Sequence, residues 1–394
     1  MKISLSQNNF TGNFWIDTGL VVLLQQFGEG DHKLNDVLNW IKNKLLLQTG
    51  NRGEYYDEQT GAVRQYEKVN WSYPANLFIK VAGSAPKKEI NGKTYFLQPP
   101  EFSLSLKLSK KSGVCDLCGE EAPVTDAKMW MYPFVVDPQK FGTFYSNNRR
   151  GLQLCARCAI AGFAGYLGWL WKAQRNDALH FFIFHAGLRE MQRLHEEVLQ
   201  PLIRATAGRG GNAPTEFAGP YIHETTLGLL LALFVHVRQS DQLGEPARQL
   251  LAQLLGVSQT SPPTSSITLY AVTGTPGKAF NMLALREFSK LQRLYQLYEE
   301  WLDLIKRLNI DVNPHRRLVS IFGQFSAPEE TIWRDKIAQA ILEFGDPLPF
   351  VEQFLFEVRA KEENRRPLLR GTLDVLNHYV KEVLHMDEQF QRIL

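Results

Sequence analysis

The stretch KKSGVCDLCGEEAPV, residues 110–124, sets two cysteines three positions apart in a chain that has only four. The other two stand in LQLCARCAI, residues 152–160. Two thiolates on a tight knuckle can share one tetrahedral metal ion, and two such pairs complete a four-sulfur shell. Gly113 and Gly119 bracket the first pair and give its backbone the freedom a knuckle needs. Cations lie near both halves: Lys110 and Lys111 beside the first, Arg149, Arg150 and Arg157 beside the second. A zinc ion with four thiolates is a net anion, so these cations are favourable neighbours. Cys115, Cys118, Cys155 and Cys158 are therefore expected to hold a structural Zn²⁺, closed to water and so not catalytic. Redox dithiols are the rival, but neither pair sits at the strand-to-helix position of a βαβ unit. Four thiolates also suit an iron–sulfur cluster, and buried free thiols are the third reading.

The bulk of the sequence is ordinary: 44% hydrophobic, 22% charged and 11% aromatic over 394 residues, which excludes disordered, collagen-like and membrane classes. A net charge of +3 implies no partner by itself, so any nucleic-acid binding has to come from local basic clusters. MKISLSQNNF, residues 1–10, has no apolar signal-peptide core, and the most apolar run, AIAGFAGYLGWLW (159–171), is too short to span a bilayer. Gly162, Gly165 and Gly168 in that run suggest a helix packed closely on other protein. The expectation is a cytoplasmic chain with no membrane contact.

An α+β fold is expected, with a mixed N-terminal domain bearing a four-cysteine zinc-finger module and a mainly helical C-terminal bundle. Residues 1–108 read as the α+β region, 109–175 as the zinc module, 176–257 as a helical middle, 258–280 as a linker with a hairpin and 281–394 as the bundle. FWIDTGLVVLLQQFG (14–28) reads as a helix entered through Asp17 or Thr18, followed by a helix over 34–48. Thr60-Gly61 and Asn91-Gly92 mark hairpin turns, and TYFLQPPEFSLSLKLS (94–109) alternates as strands do. MWMYPFVVDP (129–138) and LHFFIF (179–184) read as strands, with helices at about 186–206, 223–238 and 246–256. A stripe from Leu283 to Leu308 predicts one long amphipathic helix, with further helices over 314–325, 329–344, 349–364 and 367–386. His180 and His185 fall on opposite faces of a strand, as core or boundary residues rather than a second metal site.

CDLC at 115–118 and CARC at 155–158, behind FWIDTGL at 14–20, resemble the CXXC–CXXC family of CRISPR-associated proteins, large subunits of type I (I-A/I-B-like) Cascade effector complexes. The resemblance covers the first 175 residues best. It implies a non-enzymatic subunit at the foot of an RNA-guided complex, near the 5′ end of the guide RNA. Such a subunit reads the protospacer-adjacent motif on target double-stranded DNA and stabilises the R-loop for antiviral defence. The implied partners are guide RNA, target DNA, the backbone, guide-end and small subunits, and a helicase-nuclease that cuts after R-loop formation.

Candidate nucleic-acid contacts fall in two groups. The loops offer Asn147, Asn148, Arg149 and Arg150 of SNNRRG, Lys87 and Lys88 of GSAPKKEINGK, and Arg209 of AGRGGN. The helical region offers the doublets Lys306-Arg307, Arg316-Arg317 and Arg365-Arg366. Residues 282–394 carry 16 Lys/Arg against 18 Asp/Glu, so a binding face there requires charges sorted between faces. Met282, at the expected start of the bundle, suggests an internal translation start yielding a separate small subunit. Two other functions stay open: a zinc-stabilised nucleic-acid-binding or scaffold protein outside CRISPR, and a thiol oxidoreductase.

Overall fold

The computed structural model describes residues 1–79, 85–133, 151–174, 178–206, 210–258, 267–277, 280–326, 332–359 and 367–386. The chain forms two compact units, Met1–Trp169 with Gly277–Phe280, and Leu170–Pro276 with Asn281–Leu394. Helices and sheets mix in both, so the α+β class holds, and the four cysteines cluster as expected.

The first unit opens with β1 (Lys2–Leu5), α1 (Phe14–Phe27), β2 (Gly30–Lys33) and α2 (Leu34–Leu45), with β1 and β2 paired antiparallel. Next come β3 (Leu46–Asp57), β4 (Ala62–Trp71), β5 (Lys87–Ile90) and β6 (Lys93–Phe96), in the sheet order β4-β3-β6-β5. The expected turns are where the sequence put them: Gly61, Asn91 and Gly92 all have positive φ. A small sheet of β7 (Ser112–Val114), β8 (Glu121–Asp126) and β9 (Gln153–Cys155) leads into α3 (Ala156–Gly168).

Helices α1 and α3 cross at backbone contact. A Cβ on Gly19 would overlap the Ala161 carbonyl, and one on Gly165 would lie 2.7 Å from the Trp15 ring. Gly162 meets the Met131 carbonyl and Gly168 meets Thr18 and Val22, which accounts for the glycine spacing in α3. Trp15 is fully buried and its indole N–H donates to the Met131 carbonyl at 3.0 Å. Helix α1 begins at Phe14, not at Asp17 or Thr18. Asn13 caps it by accepting from the Trp15 and Ile16 amides, while buried Asp17 accepts from the Thr11 amide and hydroxyl.

The second unit contains the antiparallel sheet β10 (Leu170–Gln174), β11 (Ala178–His185), β12 (Thr268–Thr275) and β13 (Asn281–Phe288), in that order. Its helices are α4 (Leu188–Arg193), α5 (Gln200–Thr206), α6 (Ile222–Arg238), α7 (Glu245–Leu254), α8 (Leu291–Arg307), α9 (Pro314–Gly323), α10 (Ile332–Glu343), α11 (Leu348–Glu357) and α12 (Thr372–His378). Helix α6 is buried almost all round and packs on β12 and α10. Its first turn has polar company: Glu224 is inaccessible and forms an ion pair with Arg334 at 2.7 Å, and Asp335 accepts from the His223 and Glu224 amides.

Several expectations are corrected. Residues 281–288 are the edge strand β13 rather than the start of a helix, because β12 needs a partner and NMLALREF can supply one. Met282 pairs with Gly274, so a chain begun at Met282 would carry β13 without β12, and the motive for an internal start falls away. The helix starts only at Leu291, from which the apolar stripe is buried. Of 94–109, only residues up to Phe96 form a strand, since Pro99-Pro100 cannot donate to a ladder. Of the strand expected over 129–138, the described part is a turn closed by the Met131 and Tyr132 amides on the Lys128 carbonyl, and the rest lies outside the described residues. Finally, the boundary between units at Trp169/Leu170 cuts the expected 109–175 module, leaving β10 with the second unit.

Two stability outcomes follow. Gly19→Ala forces α1 off α3 and is expected to cost about 1–3 kcal/mol by overpacking, read as a lower urea midpoint; an unchanged midpoint would refute the close crossing. His180 is inaccessible; its Nε2–H donates to the Gly219 carbonyl at 2.9 Å, and burial pushes its pKa down to about 4. The unfolded chain therefore takes up this proton first. Stability is full above about pH 6.5 and falls by up to about 3 kcal/mol as pH drops towards 4. His180→Phe should flatten that part of the pH–stability curve.

Candidate metal centre

The first cysteine pair sits on a tight turn between β7 and β8. The Cys115 amide donates to the Glu120 carbonyl, the Gly119 amide returns to the Cys115 carbonyl, each at 2.9 Å, and Gly119 takes φ +72. The second pair was expected on a similar knuckle but lies elsewhere. Cys155 ends β9 and precedes the first residue of α3, and Cys158 lies in the first helical turn. A helix N-terminus presents free amides and positive partial charge, which suits thiolates as well as a knuckle does. The β8–β9 pairing sets Val124 opposite Cys155. A bond pair between Asp116 and Gln153 fastens the halves: the Asp116 amide donates to the Gln153 carbonyl at 2.8 Å and the Gln153 amide to Asp116 Oδ2 at 2.7 Å.

As a result, all four Sγ atoms lie within 4.8 Å of one another. Cys118 and Cys155 sulfurs stand 3.7 Å apart, beyond any disulfide bond, and all four cysteines are free. Cys115, Cys155 and Cys158 are buried and Cys118 is half-buried. As thiols they cannot titrate independently. S–H donation from Cys155 holds Cys115 well below the usual thiol range, and donation from Cys158 brings Cys118 to about 6. The same contacts, with Cys115 foremost, push Cys155 up to about 12 and Cys158 higher still. A metal cation at the centre relieves this competition, since all four sulfurs can then be thiolates.

The cation that reaches the sulfurs is Arg157. Its guanidinium donates to Cys118 Sγ at 3.6 Å and pairs with Glu120 at 2.7 Å, with only 14% of the side chain exposed. Lys110 and Lys111 are exposed, and Arg149 and Arg150 lie outside the described residues. Sequence reasoning missed the contribution of Asp116 and Glu120, because nothing in a single sequence marks an acid as a strand-to-strand tie.

The expected nucleic-acid residues are scattered. Asn147, Asn148, Arg209, Arg365 and Arg366 also lie outside the described residues. Lys87 and Lys88 share strand β5 but point to opposite faces: Lys87 lies 4.9 Å over the Phe96 ring, and Lys88 pairs with Glu58 at 2.9 Å. Lys306 and Arg307 are exposed at the end of α8, where a shallow cleft also brings together Glu300, Asp303 and His378. Arg316 is exposed, whereas Arg317 donates to the Arg370 carbonyl at 3.1 and 2.7 Å. Among the described residues these cations therefore form no continuous basic groove. Among them, too, no helix is long and apolar enough to cross a membrane. Comparison with protein families, curated proteins and solved structures finds no match to this chain.

The geometry predicts one metal ion per chain, measured by elemental analysis of the purified protein. Cys155→Ala should lose it. A thiol reagent should meet four slow cysteines before chelation and four fast ones after it; fast reaction of all four from the outset would refute a shared ion.

Proposed function

We propose that this chain is the large subunit of a type I CRISPR RNA-guided effector complex, non-catalytic and stapled by zinc. The observation that carries the reading is the joining of the two segments on which the family resemblance rests. FWIDTGL forms α1, the second cysteine pair opens α3, and these helices cross at Gly19 and Ala161. A chance occurrence of CXXC pairs would not require the Asp-Thr-Gly segment to be their packing partner. Asp17 here is a buried hydrogen-bond acceptor for Thr11, which supports a structural and not a catalytic use of that segment.

We read the ion as zinc, for which four thiolates make the usual closed structural shell. Tetrahedral Zn–S bonds of about 2.3 Å put sulfurs roughly 3.8 Å apart, a spacing with which the 3.7 Å between Cys118 and Cys155 is compatible. The mutual closeness of all four sulfurs argues against two separate redox dithiols. A shell filled by four thiolates leaves no position for substrate water, so the ion supplies rigidity alone.

In this role base pairing with the guide supplies most of the sequence discrimination, while the protein engages duplex DNA at the motif and the displaced strand. The partners are guide RNA, target double-stranded DNA, the other subunits of the complex and the helicase-nuclease that follows R-loop formation. Arg149 and Arg150 are the residues assigned to the duplex. Arg149→Ala with Arg150→Ala should weaken duplex binding and shallow its salt dependence; unchanged affinity removes that loop from the interface. Purification of the tagged chain from its own cells tests the assignment as a whole. A short repeat-derived RNA and a repeating backbone subunit should accompany it, and a chain recovered repeatedly without RNA points to a nucleic-acid-binding or scaffold protein outside CRISPR.

A further inference from the structure

The sheet β4-β3-β6-β5 leaves much of both faces open to solvent. Residues paired across strands share a face. Gly53 pairs with Tyr66, Tyr55 with Arg64 and Phe96, and Phe96 with Lys87, so Tyr55, Tyr66, Phe96 and Lys87 lie together. Tyr66 lies over Gly53, where a Cβ would come 2.5 Å from its ring, so the missing side chain lets the ring lie on the sheet. Alongside runs a groove of about 550 Å³ whose floor and walls include Tyr66, Phe96, Val69, Pro99, Pro100 and Phe102. Phe102 is braced edge-on against buried Trp71 at 5.3 Å. Exposed Lys68 and Lys87, with Asn51 and Asn70, also line it.

We propose that this groove takes an unpaired base of a single-stranded nucleic acid. Tyr66 and Phe102 supply stacking surfaces, which any base can use, and the ammonium groups of Lys68 and of Lys87, which lies 4.9 Å over the Phe96 ring, are placed for the flanking phosphates. The Asn amides are suited to base edges. Charge selects this occupant. Two lysines line the groove against one carboxylate, Glu67; of the nearby acids Glu54, Asp57 and Glu58 are neutralised by Lys93, Arg64 and Lys88, and Glu89 of β5 lies outside the groove lining. The proposal does not rest on the effector assignment, because a single-strand-binding protein of any kind could use the same surface.

The test measures fluorescence anisotropy of the full-length, metal-loaded chain with labelled oligothymidylate and oligouridylate. Tyr66→Ala should weaken binding about tenfold, the scale of one lost stacking contact. Lys68→Glu with Lys87→Glu, both on exposed side chains, should weaken it to a similar degree and shallow the salt dependence with the melting temperature unchanged. Cross-linking with 5-iodouracil oligonucleotides should label a peptide carrying Tyr66, Phe96 or Phe102. Binding of both polymers supports a stack on bases alone, and preference for one supports the site while naming the strand it serves. Absence of oligonucleotide binding, unchanged affinity in both variants, cross-links confined to other segments, or occupation by a proline-rich peptide instead would each overturn the proposal. None of these outcomes bears on whether guide RNA co-purifies.

Discussion

Four sulfurs within 4.8 Å of one another compete for protons as thiols and repel as thiolates, so only a rigid backbone or a central cation can keep them there. Here the backbone contribution is visible. A knuckle between β7 and β8 faces the first turn of α3, and the Asp116–Gln153 bond pair holds the two halves in register. Arg157 then places a fixed positive charge beside Cys118, itself held by Glu120. Much of the first unit follows from this clasp, because fixing the start of α3 fixes the helix against which α1 is packed.

That packing is unusually close. The two helices touch through Gly19, Ala161 and Gly165, with Trp15 filling the space beside them and bonded to the Met131 carbonyl. Tyr166 and Trp169 contact the Trp15 ring edge-on at 4.9 and 5.0 Å. Cysteine cluster, glycine crossing and aromatic cluster thus form one continuous core. The short apolar helix α3 is here a surface for another helix.

The second unit is organised differently, around a sheet with β11 buried on both faces and a helix, α6, buried almost all round. Among its described residues the one deeply buried carboxylate, Glu224, is matched by Arg334, whose guanidinium also lies 5.0 Å from the Phe217 ring. Such a pair adds little net stability but would be costly to break. Charge elsewhere in this unit is spent locally: Arg238 on Glu299 and Asp303, Arg317 on a carbonyl, His378 on Glu300. Basic doublets in the sequence therefore did not translate into a basic face among the described residues, because Arg317 is spent on a carbonyl and Lys306 and Arg307 share their cleft with Glu300 and Asp303.

The sequence alone determined the two cysteine pairs that cluster, the two hairpin turns, the glycine-lined helix and most of the helices, since each rests on spacing or on a local backbone demand. Spacing is local, and the cysteine pairs needed only to be brought together. What the tertiary structure decided is what depends on partners distant along the chain. It made 281–288 a strand on the edge of β12 left open by β11, although the same residues carry an apolar stripe of helical period. It put the second cysteine pair on a helix start, separated Lys87 from Lys88, and opened an aromatic groove beside β6. None of these is written in neighbouring residues, because a side chain's surroundings are set by which segment arrives beside it.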